Sequence, residues 1–337
     1  NLPIKPIVVN YGCPSYQYGA SLEPWSDRAK YPWSNMIDHT NQSTFGNKNG
    51  FRPLQREIIN CVLSKRDVFV LIPTGGGKSL TFQLPPNIET NGITIVIMPL
   101  ISLIQDQIEG LSTCGMAAVT FEEGKNDVQV YNEIENDPQC RMLFTTPEKL
   151  QSNGNFRAKI REWVQTDRLK RFVIDEAHCV SEWGHDFRDA YLKLRNIRRE
   201  YPTIPIMALT ATAQKATVKD VIQQLQLNQA CVFKANTNRS NLKFEVWQKA
   251  GSFNASMNQI AENIKANKWQ NKCGIIYCTT QKQTEEVAAQ LFTKGIQCQA
   301  YHAGMAVKTR ADVQQMWMQD KVRIIVATVA FGMGINK

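Results

Sequence analysis

Three glycines, a lysine and a serine, Gly75-Gly76-Gly77-Lys78-Ser79, with Thr74 before them, form the stretch of this chain best suited to hold phosphate. Glycines let a backbone turn tightly and bring its N–H groups to anionic oxygens. Lys78 adds a point charge and Ser79 a hydroxyl for Mg²⁺. The strict pattern G-x-x-x-x-G-K-[ST] asks for Gly where Ile72 stands, so the loop alone does not decide the chemistry. A second pair does. Asp175 and Glu176 follow a short apolar run, 97 residues after Lys78. An Asp at a strand's carboxyl end can hold Mg²⁺, and the next Glu can orient and deprotonate a water that attacks a γ-phosphate. Alone, two acids are an ordinary solvated strand end. Paired with the loop, they read as the other half of a nucleotide site.

These groups need strands that end together. Val68–Ile72 is an unbroken apolar run rich in β-branched residues, as expected of a parallel strand covered on both faces. Further strands are expected at 93–98, 142–145, 172–174 and 206–210. Helical spacing falls at Leu54, Ile58, Ile59, Val62, at Ile101, Ile104, Ile108, Leu111, at Phe156, Ile160, Trp163, Val164, and at Val218, Val221, Ile222, Leu225. The alternation predicts an α/β fold with a doubly wound parallel sheet, whose ligands sit at the strands' carboxyl ends. A second βα alternation follows, with helices around 256–267, 282–294 and 308–318 and strands at 274–278, 296–301 and 323–327.

The expected organisation is an extended N-terminal arm over 1–44, a first lobe over 45–235, a crossing segment with one short strand over 236–252, and a second lobe over 253–337. Trp25, Tyr31 and Trp33 are expected to anchor the arm to the first lobe. The start shows no initiator Met and no signal-peptide pattern, so the chain reads as a piece of a longer one.

Composition sets limits. The chain has 337 residues, 43% hydrophobic and 20% charged, which is ordinary globular composition for two domains. No apolar run approaches the roughly 18 residues needed to span a bilayer. Nine cysteines show no C-x-x-C spacing and read as reduced thiols rather than a disulfide or zinc framework. The net charge of +9 is uneven: residues 236–337 hold thirteen basic and six acidic groups, which suits a polyanion track.

With these motifs in place, the chain resembles the RecQ family of superfamily 2 DNA helicases, DEAH-box enzymes built from two RecA-like lobes. Phe51-Arg52-Pro53-Leu54-Gln55 is similar to the family's adenine-reading motif, which implies that Gln55 bonds the base edge and Arg52 helps hold the nucleotide. Residues 98–107, with Ser102 and Gln105, resemble motif Ia; Leu103 and Ile104 there read as core. Thr146 and Pro147 fall in a stretch similar to motif Ib, and 210–213 in one similar to motif III. Trp183, His185, Phe187 and Arg188 lie in a stretch resembling the RecQ aromatic-rich loop, which couples single-stranded DNA to hydrolysis. In the second lobe, His302 and Thr328 belong to stretches similar to later family motifs.

The resemblance implies an ATP·Mg²⁺-dependent enzyme in which Lys78, Asp175 and Glu176 are catalytic and Ser79 and Asp175 hold Mg²⁺. It implies 3′–5′ movement on single-stranded and forked DNA, a role in repair and recombination, and a nuclear location, with no membrane partner. An RNA helicase, or a nucleotide- and nucleic-acid-binding piece without turnover, are the alternatives. The stretch resembling motif V ends at Lys337, so the second lobe is expected to be incomplete, motif VI to lie beyond it, and this piece alone to hydrolyse ATP slowly.

Overall fold

A computed structural model describes residues 23–121, 125–181, 189–235, 242–267, 269–329 and 331. The chain divides into two compact units, residues 1–240 and 241–337.

The first unit is built on seven strands: β1 (Val68–Leu71), β2 (Ile93–Ile97), β3 (Val119–Thr120), β4 (Met142–Thr145), β5 (Leu169–Ile174), β6 (Ile206–Thr210) and β7 (Cys231–Lys234). They pair in the order β3-β4-β2-β5-β6-β1-β7, and every pairing is parallel. Parallel strands need crossovers, and helices supply them on both faces. Side chains therefore alternate between two cores. Phe69, Leu71, Ile95, Ile97, Phe172 and Ile174 pack with Phe156, Ile160 and Trp163 of the helix Gly154–Gln165. Val68, Val70, Val96, Phe144 and Val173 pack on the other face with Ile58 and Val62 of the helix Gln55–Leu63, and with Leu103 and Ile104 of Ile101–Thr113. Burial on both faces explains why these strands read as continuous apolar runs rather than as alternating ones.

At the sheet's opposite end Asp67 fixes the register. It accepts a hydrogen bond from Ile206 N at 2.8 Å and pairs with buried Arg198, which also donates to the carbonyls of Pro202 and Ile204 at 2.9 and 3.1 Å. Removing either partner of such a buried pair would leave the other charge desolvated and unpaired, which is strongly destabilising.

Three expectations change. The arm is not extended where described: Ser34–Ser43 is a helix. Its buried face is Ser34, Ile37 and Asn41, so polar residues at helical spacing hid the period. Ile37 packs among Ile59, Leu63, Leu80 and Leu84. Strands β3 and β7 are additions; β3 is two residues long, and Cys231–Lys234 is only half-buried at the sheet's edge, so neither is a long apolar run. Over 242–252 no strand forms, and the backbone is irregular and largely exposed. The aromatic cluster does anchor the arm. Trp25 and Trp33 each stack on Tyr31, Trp33 Nε1 donates to Asn60 Oδ1 at 2.8 Å, and Asn60 Nδ2 donates to Trp25 O at 2.7 Å.

The second unit holds β8 (Gly274–Tyr277), β9 (Cys298–Tyr301) and β10 (Ile324–Ala327), parallel in the order β8-β10-β9. Helices Phe253–Ala266, Gln281–Thr293 and Val307–Met318 complete it. Val287, Leu291 and Val326 form one core, and Val313, Trp317, Ile325 and Phe331 the other.

Candidate nucleotide site

Strands β1 and β5 deliver the chemistry. After β1 the chain turns through Gly75 and Gly77, both at positive φ (+77° and +84°), and enters the helix Lys78–Gln83. A Cβ on Gly76 would lie 2.3 Å from Ile72 Cγ2 and 2.9 Å from Pro73 O, so only glycine fits there. Ile72, at the place where the strict pattern has glycine, is thus one wall of the loop. Lys78 and Ser79 are half-buried and Thr74 is exposed.

The upstream motif braces this loop. Arg52 Nη1 donates to Gly75 O at 2.6 Å and Gln55 Nε2 donates to Gly77 O at 2.9 Å, while Gln55 Oε1 accepts from Arg52 N at 2.7 Å. Both side chains expected to hold a nucleotide are therefore already tied to the phosphate loop.

At the end of β5, Glu176 sits in the left-handed region at φ +48°, an unusual conformation for a residue other than glycine. Lys78 Nζ lies 3.8 Å from Glu176 Oε1, and His178 Nδ1 lies 3.3 Å from Glu176 Oε2. Burial opposes ionisation of Glu176, yet the His178 hydrogen bond and the Lys78 charge hold its carboxyl below the usual range. Asp175 shows the reverse. Burial and neighbouring Glu176 push its carboxyl up to about 6, against the pull of Lys78.

Asp175 Oδ1 is buried and accepts no hydrogen bond. An orphaned carboxylate oxygen whose charge is disfavoured is what a cation would satisfy. Asp175 and Ser79 thus fit Mg²⁺, which commonly takes one or two protein carboxylates plus substrate phosphates. Among the described residues no group of three or more His, Cys, Asp or Glu forms a separate metal cluster.

Sequence reasoning passed over a relay behind these acids. His178 Nδ1 lies 2.8 Å from Thr210 Oγ1, which donates to Thr212 O at 3.0 Å, so the imidazole bridges the ends of β5 and β6. Burial alone would lower His178; the Cys179 sulfur and the Glu176 carboxylate outweigh it and raise the imidazole to about 10. Tyr191 OH donates to Asp175 O at 3.0 Å. The position of His178 two residues after Glu176 was the available signal. Tyr191 had none, because a lone tyrosine in a helical stretch carries no spacing.

The residues expected at nucleic acid are placed variously. Ser102 and Gln105 are exposed on one face of Ile101–Thr113. Thr146 is half-buried and caps the helix Pro147–Ser152 by accepting from Lys149 N at 3.4 Å, while Pro147 is buried at that helix's first position. Proline's missing N–H costs nothing in a helix's first turn. Trp183, His185, Phe187 and Arg188 lie outside the described residues. In the second unit His302 is buried, with Nε2 at 3.1 Å from Glu285 Oε1, and Thr328 is half-buried at the end of β10.

Two parallel α/β units, one with a glycine-turned phosphate loop facing an acidic strand end, define the helicase-type nucleoside-triphosphatase class. The DEAD/DEAH box helicase family matches residues 52–221, and the helicase conserved C-terminal domain matches 253–337. The chain belongs to the DEAD/DEAH box helicase family, and within it to the RecQ helicases.

Three similar proteins carry the finer placement. ATP-dependent DNA helicase Q-like 2 of Arabidopsis thaliana is 39% identical over 97% of this chain and 46% of its own length. The putative ATP-dependent DNA helicase Q1 of Caenorhabditis elegans is 42% identical over 92% and 49%. ATP-dependent helicase SGS1 of Saccharomyces cerevisiae is 42% identical over 94% and 22%. The chain thus spans about half the length of the first two and about a fifth of the third. Among solved structures, the DUF1998 helicase MrfA bound to DNA matches over 89% of this chain and 45% of its own, with TM-score 0.67 and 16% identity. A Saccharomyces cerevisiae Dbp5 variant bound to RNA and ADP BeF3 matches over 86% and 73%, with TM-score 0.63 and 16% identity. Both share the fold.

Proposed function

We propose that this chain forms the motor core of a RecQ-type DNA helicase, coupling ATP hydrolysis to 3′–5′ movement on single-stranded DNA and to opening of forked duplexes in repair and recombination. Residues 45–235 and 253–337 act as its two lobes, with 236–252 crossing between them. The observation that carries the reading is the meeting of Lys78 and Glu176, 3.8 Å apart, from two separate strand ends.

In this mechanism Gln55 and Arg52 hold the nucleotide's base side while bracing the loop. Lys78 turns from Glu176 to the transferred phosphoryl group and offsets charge there. Glu176 is left held by His178 and takes the proton of the attacking water. Its lowered carboxyl range keeps it ionised and ready to accept. Mg²⁺, when bound by Asp175 and Ser79, supplies charge neutralisation and phosphate alignment. Thr210, hydrogen-bonded to His178, ties the acidic strand end to β6 and the segment after it. Trp183 and Phe187 stack on bases, Arg188 and His185 add phosphate contact, and Ser102, Gln105, Thr146, His302 and Thr328 track the strand. Pro147 acts only by shaping the helix start beside Thr146.

The test compares ATPase rates without nucleic acid, with single-stranded DNA and with RNA, followed by unwinding of forks carrying a 3′ or a 5′ tail. DNA stimulation and a 3′-tail requirement are expected. Stimulation by RNA alone would replace the reading with that of an RNA helicase.

A further inference from the structure

Two neighbouring cavities open on the first unit, along the helical stretch 189–200. The first, of about 270 Å³, is lined by buried Leu150, Leu194 and Ile197, by half-buried Arg157 and by exposed Lys193. Tyr201 lines it as well. That residue is 3% exposed, and its hydroxyl is buried without a hydrogen-bond partner. Burial and the Glu200 charge push the hydroxyl up to about 12, so it stays protonated and able to donate. A buried donor left unsatisfied carries a free-energy cost that an incoming acceptor removes.

The second cavity, of about 560 Å³, is lined wholly by guanidinium and amide side chains: Arg195, Arg199, Asn196, Gln223, Gln224 and Gln226. Asn196 belongs to both cavities. Gln226 O accepts from Arg198 Nε at 3.3 Å, and Arg198 pairs with Asp67, so this cavity lies at the end of the sheet away from the phosphate loop. Charge here is one-sided. Arg157, Lys193, Arg195 and Arg199 pair with no carboxylate among the described residues, although Arg199 Nη2 donates to Asn196 Oδ1 at 3.1 Å. Glu200 is the one acid lining either cavity, and neighbouring Asp220 already accepts from Gln224 Nε2 at 3.3 Å.

We propose that the two cavities together form a docking site for an acidic protein segment that carries one large apolar side chain. The apolar side chain fills the first cavity over Leu150, Leu194 and Ile197. A carbonyl or carboxylate oxygen of the segment accepts from the Tyr201 hydroxyl, and its acids lie along Arg195 and Arg199, whose planar forks match carboxylates. A nucleic-acid strand would meet the same arginines. It would leave the apolar floor uncovered, and the lining residues offer no exposed aromatic ring on which a base could stack.

The experiment selects a displayed library of random short peptides on the wild-type chain and counter-selects it on Arg195→Glu/Arg199→Glu. Enriched peptides are expected to place Asp and Glu around one large apolar residue. The consensus peptide, labelled and titrated by fluorescence anisotropy, should lose about tenfold or more in affinity when its apolar residue becomes Ala. It should lose about tenfold on Arg195→Gln/Arg199→Gln, a milder pair that guards against a folding defect. Tyr201→Phe, which keeps the ring and removes the donor, should cost about 3- to 10-fold. No enrichment, enrichment of neutral or basic peptides, or a consensus peptide indifferent to Tyr201→Phe and to the glutamine pair would each overturn the proposal. So would an oligothymidylate that loses its affinity on Arg195→Gln/Arg199→Gln while no peptide is enriched, which would make this face a nucleic-acid surface.

Discussion

Glu176 combines a strained backbone, an adjacent imidazole and a lysine that can be drawn away. Non-glycine residues at positive φ persist where surrounding contacts over-determine them, and such sites are often functional. For Lys78→Ala the fold should survive while DNA-stimulated ATPase falls by about 10³-fold or more, the scale of losing one charge on a transferred phosphoryl group. Steady-state ATPase with circular dichroism checks it, and normal turnover would remove Lys78 from the mechanism.

His178 makes a pH prediction. Its folded value of about 10 stands above an ordinary 6.5, so its contribution to stability is full below about 6.5 and is lost as pH rises through about 10. Wild type should therefore exceed His178→Gln in Tm by most near pH 6.5 and converge with it toward pH 10. A Tm difference that is flat across this window would show that His178 is neutral in the folded protein.

At the scale of elements, the phosphate loop is held from three sides: Ile72 beneath Gly76, Gln55 at Gly77 and Arg52 at Gly75. Gly76→Ala forces a methyl into Ile72 and a backbone carbonyl. It should abolish nucleotide binding by isothermal titration while the sheet, monitored by circular dichroism, persists. The N-terminal helix makes a separate claim. Ile37 is fully buried among Ile59, Leu63, Leu80 and Leu84, so Ile37→Ala should cost about 2–5 kcal/mol in urea unfolding. A loss within about 0.5 kcal/mol, as for an ordinary surface substitution, would mean that the helix is not docked in solution.

At the scale of the whole molecule, charge is the organising quantity. The thirteen basic residues among 236–337 face only six acidic ones. If the second unit contributes backbone contacts, single-stranded DNA affinity should fall steeply with salt, with a log–log slope of about −0.7 per phosphate neutralised. Fluorescence anisotropy across a salt series measures this. A slope near zero would confine binding to stacking and uncharged contacts.

What was legible in the sequence was local. Glycine spacing at 75–77 marked the loop, the acids at 175–176 marked a strand end, and fully buried parallel strands wrote themselves as apolar runs. The resemblance then supplied roles for Arg52, Gln55 and the aromatic stretch. Tertiary structure alone decided what crosses sequence distance. That Gln55 and Arg52 brace the loop depends on a helix returning to β1, and that His178 reaches Thr210 depends on β5 and β6 being neighbours. Strand order carries no sequence signal of its own. The helix at 34–43 escaped because Ser34 and Asn41 fill buried positions that a hydrophobic pattern cannot see.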